Sequence, residues 1–240
     1  MGQYLIQGVV LPERATLTLG EGFIVGFDHP VTGYSDTINV RILSNKVTAW
    51  LNTENKWEVY DLRNVAKHIV QSYVNVIGYF KGYAYEVDIV RILNIDLKID
   101  MVFGIDIPCL EKRNMDVKTG EMVNIVHSKI RGAEGLYLQR CFNDLISAMK
   151  NADDTGFYCY RAIESLRHHC ASIHKLSSDT KKVQWQKFRE ISGSTEQALL
   201  TLKDAADPLR HGKPSHITSD DRAKLFISTW DVVDGYLSSL

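Results

Sequence analysis

The apolar residues of this 240-residue chain follow two different periodicities, and the change falls near residue 130. Before that point they alternate or cluster in short runs, such as TLTL, GFIVGF, TINVRIL and KVTAWLN. Beyond it they recur every three or four residues. Alternation is typical of strands, and a spacing of three to four is typical of amphipathic helices. The sequence therefore predicts two domains of different structural class.

The first domain, residues 1–128, is predicted to be α+β. Five or so short strands lie between Tyr4 and about Val59, and strand patterns return in YEVDIVRIL and KIDMVFGIDI. Between them a helix is predicted over about 61–81, opened by Asp61 and ended by Gly82. Its apolar stripe consists of Val65, Ile69, Tyr73, Val76 and Phe80. We expect this helix to cover one face of a mostly antiparallel sheet.

The second domain, residues 133–240, is predicted to be an all-α antiparallel helical bundle. Five apolar stripes at helical spacing follow one another, separated by short loops. After the first helix, the predicted starts are Asp153 or Asp154, Asp179, Ser194 (with Gln197 in a capping box), and Ser219 with Asp220. Helices joined by short loops favour up-and-down connections. The domain boundary is expected near 128–133.

Composition excludes several functional classes. The chain is 45% hydrophobic and 24% charged, as is usual for soluble proteins, and no apolar run approaches the roughly 18 residues of a membrane span. With no signal peptide apparent, the expected location is the cytoplasm, without membrane contact. The net charge of −1 means that any RNA contact must be local. Three cysteines lie on apolar stripes and are predicted to be buried, reduced thiols: Cys141, Cys159 and Cys170.

The stretch from Leu199 to His216, LLTLKDAADPLRHGKPSH, carries the candidate chemistry. It begins as an amphipathic helix, which Pro208 is predicted to disturb and Gly212 and Pro214 to end. Three ionisable side chains lie at this break: Arg210, His211 and His216. Arginine offers a planar fork of donors to phosphate oxygens, and histidine exchanges protons near neutral pH. This combination suits the handling of a phosphate diester.

The spacing of these residues resembles the R-polar-x(4–6)-H motif of HEPN-domain proteins, many of which are metal-independent endoribonucleases. The segments YRAIESLRHHC, WQKFREI and ADPLRHGK are also similar to uncharacterised bacterial proteins that share a helical region with a YRAxE…RHG pattern. The HEPN resemblance covers less than half of the chain. Several antiphage defence proteins resemble this layout, with a β-rich sensing region ahead of a HEPN effector.

The resemblance implies a site and a reaction. Arg210 would hold the scissile phosphate, His216 would act as general base or acid on the ribose 2′-hydroxyl, and His211 would take the polar position. Side chains that would orient them are Arg161, Glu164 or Arg167. The products would carry a 2′,3′-cyclic phosphate, with no metal or cofactor. A homodimer through the helical bundle is implied, acting as a defence or toxin effector, with a regulatory partner or signal at the first domain.

Other interpretations of the same residues remain open. Cations near a helix C-terminus interact favourably with the helix dipole, by about 0.3–1 kcal/mol, and Arg210 buried against Glu164 or Asp207 is equally consistent with the sequence. The chain would then be a non-catalytic dimerisation or interaction protein; a nucleotide-responsive binding module is a third alternative. Catalysis predicts Arg210 and His216 exposed side by side. The scaffold alternative predicts a buried Arg210 and a solitary His216.

Two further clusters have both a functional and a structural interpretation. His168, His169, Cys170 and His174 would suit a metal, but no second ligand pair is evident, so surface histidines are expected. The basic and aromatic residues Lys181, Lys182, Trp185, Lys187 and Arg189 are typical of an RNA surface. Trp185 and Phe188 are spaced for the core, however, which would leave the lysines as a solvated face.

Overall fold

The computed structural model describes residues 2–29, 31–104, 107–111, 123–124, 128–130, 132–213 and 215–240. The chain divides into two compact units, Met1–Ile105 and Asp106–Leu240. This division lies earlier than the predicted boundary of 128–133. The reason is local packing: the 3₁₀ turn Pro108–Leu110 follows the division, and Ile107, Cys109 and Leu110 pack against a buried cluster of the helical unit formed by Ala148, Cys159 and Phe226. These residues therefore belong to the helical unit.

The first unit is a six-stranded antiparallel sheet with one helix, the α+β class that was predicted, although four strands precede the helix where five or so were expected. The strand order across the sheet is β2-β3-β4-β1-β5-β6. The strands are β1 (Gly2–Leu11), β2 (Leu19–Asp28), β3 (Ser35–Leu43), β4 (Lys46–Thr53), β5 (Glu86–Asn94) and β6 (Ile99–Val102). In β1 every second residue from Tyr4 to Val10 is buried, which is the alternation expected when one face of a strand meets the core.

Helix α1 (Val59–Lys81) joins β4 to β5. It begins at a Glu58 cap, whose side chain accepts the backbone N–H of Asp61 at 2.8 Å, so the prediction of Asp61 as the cap was wrong. Its C-terminus was predicted correctly, because Gly82 ends it in the left-handed conformation. Gln71 fixes the helix to the sheet: its side chain donates to the carbonyl of Tyr85 at 3.1 Å and accepts from the N–H of Val87 at 2.7 Å.

The predicted apolar stripe of α1 matches the buried one only in its first part, where Ile69 is buried and Val65 packs against the core. The residues that face the core are Leu62, Ala66, Ile69, Val70, Val74 and Gly78. Of the predicted stripe, Tyr73 and Val76 are exposed and Phe80 is 80% exposed. The helix carries two apolar stripes, and the sheet takes the one made of aliphatic and small side chains, which permit close approach of the helix to the strands.

From residue 132 onward, the described part of the second unit contains helices α2 (Gly132–Lys150), α3 (Thr155–Ile173), α4 (Lys181–Ser192), α5 (Glu196–Arg210) and α6 (Ser219–Leu237). Helix α3 is central and contacts the other four. The caps of α5 and α6 lie one residue from the predicted ones: the Thr195 and Thr218 hydroxyls accept N–H groups at 3.1 Å, where Ser194 and Ser219 were expected. None of the described helices is long and apolar enough to cross a membrane.

The helices of the bundle do not simply alternate in direction, as the predicted up-and-down connections would require. Thr155 contacts Arg222 near the starts of α3 and α6, and His169 contacts Tyr236 near their ends. These two helices are therefore parallel. Gly156 approaches Ala205, and Tyr160 lies beside Leu199 and Lys203, which makes α5 antiparallel to α3. Because α4 has only 12 residues, against 19 in α3, it serves as a short crossover rather than a full member of the bundle.

The contact of α4 with α6 depends on a glycine. A Cβ added at Gly235 would lie 2.1 Å from the carbonyl oxygen of Ser192, and this is a backbone atom that cannot rotate away. We expect Gly235→Ala to lower the free energy of unfolding by about 1–3 kcal/mol through overpacking, despite the better helix propensity of alanine. Urea unfolding followed by circular dichroism measures this. Asp231→Ala, at an exposed position of α6, is the control; a Gly235→Ala protein as stable as the parent would contradict the close packing.

Candidate functional site

Helix α5 continues past Pro208 and ends at Arg210 in a Schellman motif. Lys213 donates its N–H to the Pro208 carbonyl at 3.0 Å, and Gly212 donates to Leu209 at 3.1 Å, with Gly212 in the left-handed region at φ 70°. The prediction that Pro208 disturbs the helix was therefore wrong. The proline lacks the N–H that would donate one helical hydrogen bond, but the helix continues beyond it, and the turn that ends the helix donates to the carbonyls of Pro208 and Leu209. The predicted stop at Gly212 was correct, and Pro214 lies outside the described residues.

The Arg210 side chain is 43% exposed. Its guanidinium lies 3.5 Å from the Asp207 carboxylate one turn earlier on α5, and 6.0 Å from the centre of the Tyr160 ring on α3. The pairing with Asp207 is one of those the sequence left open, but the pair is at the surface and not buried. His211 caps the helix and is exposed. An arginine in this position remains accessible to an anion from solvent.

His216 lies in the loop between α5 and α6, with its side chain 37% exposed. Its Nδ1 is 3.7 Å from the carboxylate of Asp153, just before α3 begins at Thr155. Arg210 contacts Tyr160 on the same helix. Asp153 lies in the turn before α3, and Tyr160 is the sixth residue of that helix. Arg210 thus contacts the N-terminal half of α3 and His216 contacts the turn that precedes it, so their partners lie on the order of 10 Å apart rather than side by side.

Two of the three predicted supporting residues form structural contacts. Arg161 is bidentate with the Asp144 carboxylate, which is 2% exposed, and this hydrogen bond raises the pKa of Arg161. Arg167 is buried against Gln184 and His168, and burial lowers its pKa. Its Nε has no hydrogen-bond partner among the residues that the structure describes. Glu164 is half-buried.

Tyr160 is the residue that sequence reasoning missed. Burial is the main cause that raises its pKa, followed by the nearby Glu164 carboxylate, whereas Arg210 and Arg167 lower it. Its ring stacks on Trp185 of α4 at 6.2 Å between centroids, and the Arg167 guanidinium lies 5.1 Å from the same Trp185 ring. Two cation–π contacts, Arg210 with Tyr160 and Arg167 with Trp185, are thus linked by the Tyr160–Trp185 stack. Tyr160 belongs to the YRAIE segment, but only the packing of α4 and α5 on α3 reveals its partners.

The histidine cluster does not have metal-site geometry. Within the described part of the chain, no group of three His, Cys, Asp or Glu side chains is placed to hold a metal ion. The expectation of surface histidines is wrong for His169, which is buried with its Nδ1 at 2.7 Å from the Tyr236 hydroxyl. The cysteines were predicted correctly: Cys141, Cys159 and Cys170 are buried free thiols, and burial raises the pKa of Cys159 to about 11.

The buried His169 is expected to make the stability of the protein depend on pH. Burial lowers the pKa of its imidazole below the usual value near 6.5. Below pH 6.5 the unfolded chain therefore binds more protons than the folded one, so the free energy of unfolding falls as the pH drops toward the folded-state pKa. We expect His169→Gln to lose less stability than the parent between pH 7.5 and 5.5 in thermal melts. The exposed His211→Gln serves as the control, because His211 is not among the groups that shift the pKa of His169, and an unchanged pH dependence in His169→Gln would contradict this assignment.

The molecule is thus a two-domain protein, an antiparallel α+β unit followed by a helical unit with an Arg/His turn. Its N-terminal part matches the model of the DUF8168 N-terminal domain over residues 4–103, and its C-terminal part matches the DUF8168 C-terminal domain over residues 122–240. Both are described as domains of unknown function. The two models match in order over most of the chain, which therefore belongs to this family. No curated protein and no solved structure matches.

Proposed function

We propose that the helical unit is a HEPN-like, metal-independent endoribonuclease. The observation that carries this proposal is the placement of the partly exposed Arg210 guanidinium beside the N-terminal half of α3 and of the His216–Asp153 pair at the turn before that helix. The resemblance of the Arg210–His216 spacing to the HEPN motif supplies the reaction class. The first unit would then be the sensing or regulatory part of a prokaryotic defence or toxin effector.

In the proposed reaction the ribose 2′-oxygen attacks the adjacent phosphorus, and the bond from phosphorus to the 5′-oxygen breaks. His216 takes the 2′-proton, and the neighbouring Asp153 carboxylate stabilises the imidazolium that forms. Arg210 donates to the non-bridging phosphate oxygens, where negative charge accumulates. A proton passes to the departing 5′-oxygen, with the exposed His211 as candidate donor. The products are a 2′,3′-cyclic phosphate and a 5′-hydroxyl.

The test is RNA cleavage by the purified full-length protein in EDTA, with analysis of the new ends. EDTA-resistant cleavage that leaves 2′,3′-cyclic phosphates supports the proposal. Mixing Arg210→Ala with His216→Ala protein examines the proposed homodimer: recovery of activity in the mixture means that the two chains of a dimer share one site.

The alternative is a non-catalytic interaction protein, and one observation favours it. The Schellman motif and the Arg210–Asp207 pair on the same helix are sufficient to explain Arg210 and Gly212 as a helix terminus. On this alternative the parent protein leaves RNA intact under all conditions. Arg210→Ala then changes stability by no more than about 1 kcal/mol, the usual range of an exposed ion pair.

A further inference from the structure

A cleft of about 210 Å³ opens between α3, α4 and α5. Its apolar lining is formed by Tyr160, Trp185, Leu199 and Leu200. Pockets for drug-sized molecules are usually 300–1,000 Å³, so this cleft has room for one flat group of a larger ligand rather than for a whole cofactor. The Tyr160 and Trp185 rings in the lining stack on each other, so a planar ring system would lie beside this pair rather than between the two rings.

The charge around the cleft is positive. Lys182, Arg189 and Lys203 line it, with Glu196 as the acidic member. Glu196 lies 3.6 Å from Arg189, and Asp207 lies 3.9 Å from Lys203, so each of these two cations has a neighbouring carboxylate. Lys182 has no ion pair within the described parts of the chain. A planar apolar group in the cleft and anionic groups along its rim together describe a nucleotide in a single strand.

The cleft is continuous with the proposed catalytic arginine by two routes. Tyr160 lines the cleft and also lies under the Arg210 guanidinium at 6.0 Å. Along α5, Lys203 on the rim and Arg210 share one carboxylate: Asp207 is 3.9 Å from the Lys203 amine and 3.5 Å from Arg210. A strand with one base in the cleft would therefore carry a neighbouring phosphate toward Arg210.

We propose that this cleft is a base-binding subsite for single-stranded RNA, with one base against Trp185 and Tyr160 and flanking phosphates on Lys182 and Lys203. This inference rests on the proposed ribonuclease function and names its substrate as unpaired RNA. Duplex RNA is excluded from the subsite because its bases are stacked on each other and cannot enter the cleft. Of the basic and aromatic residues of α4, Lys182 and Trp185 would then bind nucleic acid, whereas Phe188 is buried in the core.

The experiment measures the binding of a fluorescent oligouridylate to the full-length protein by anisotropy, in EDTA. We expect Lys182→Glu to weaken binding on the order of tenfold and to flatten the dependence of log Kd on log salt. Lys181→Glu, the same charge change one residue away and outside the cleft, is the matched control. Trp185→Leu should weaken binding to a similar degree, and circular dichroism confirms its folding; Lys182→Glu keeps the test decisive if Trp185→Leu unfolds.

The outcomes separate the two proposals. Binding that Lys182→Glu weakens and Lys181→Glu preserves, without cleavage under any condition, supports the cleft and overturns the nuclease. If both cleft variants bind and cleave RNA at parental levels, the proposed base-binding subsite is overturned and the nuclease proposal stands. Equal affinity for duplex RNA, or displacement of the oligouridylate by an acidic peptide at lower concentration, also overturns the subsite. The first would show that no unpaired base is required, and the second would show a protein ligand.

Discussion

Arg210→Ala and His216→Ala are each expected to lower the rate of RNA cleavage in EDTA by a factor of about 10²–10⁴ while the fold is retained. Under the proposed mechanism, removal of His216 deletes the general base, whose contribution to the rate is about 10²–10⁴, and removal of Arg210 deletes the charge proposed to stabilise the phosphorane-like transition state. Both side chains are partly exposed, so neither truncation leaves a cavity. The measurement is single-turnover cleavage of a labelled single-stranded RNA.

Matched controls come from the same unit. Arg140→Ala and His174→Ala remove an exposed arginine and an exposed histidine elsewhere in the helices and should leave the rate within about threefold of the parent, as expected of surface substitutions. Asp153→Asn separates roles within the pair, because it leaves the His216 ring in place and removes the carboxylate at 3.7 Å. A smaller loss of rate than in His216→Ala is the expected result. If Arg210→Ala cleaves like Arg140→Ala, the arginine has only its helix-terminus role.

The sequence was sufficient for features that depend on local periodicity. The two structural classes, the helix positions and the stop signals at Gly82 and Gly212 follow from short-range rules of spacing and backbone conformation. The phase of the α1 stripe was not predictable in the same way. Tyr73 and Phe80 satisfy helical spacing as well as Val70 and Val74 do, and only the sheet selects between the two faces.

Features that depend on packing between elements far apart in the sequence could not be predicted from the sequence. The parallel arrangement of α3 and α6 arises because α4 is a short crossover, and sequence spacing contains no direction. The same is true of the proposed site, whose residues come from elements that are far apart in the sequence. The pattern located Arg210 and His216, but their neighbours Tyr160 and Asp153 come from another helix and the loop before it. The sequence likewise could not show that Arg161 and Arg167 are held by Asp144 and Gln184, each 17 residues away.

The second large effect concerns Arg161 and stability. Its guanidinium is bidentate with Asp144, whose carboxylate is buried, while Arg161 itself is one-third exposed. Arg161→Ala leaves a buried charge without its counterion and should lower the free energy of unfolding by about 3 kcal/mol, the lower end for buried pairs because water screens the arginine. Urea unfolding measures the loss. Lys224→Ala, which breaks the fully exposed pair with Asp221, should change stability far less.

Replacing both partners separates a structural arginine from a catalytic one. The double variant Arg161→Met, Asp144→Leu removes the charge and its counterion together, so most of the stability lost in Arg161→Ala should return. We expect this double variant to cleave RNA within a few-fold of the parent, because Arg161 is held by Asp144 and lies 5.0 Å from the rings of Phe157 and Tyr158. Restored stability with cleavage lost by a factor of a hundred would instead assign Arg161 a role in orienting the phosphate. The proposed site would then extend along α3 beyond Arg210 and His216.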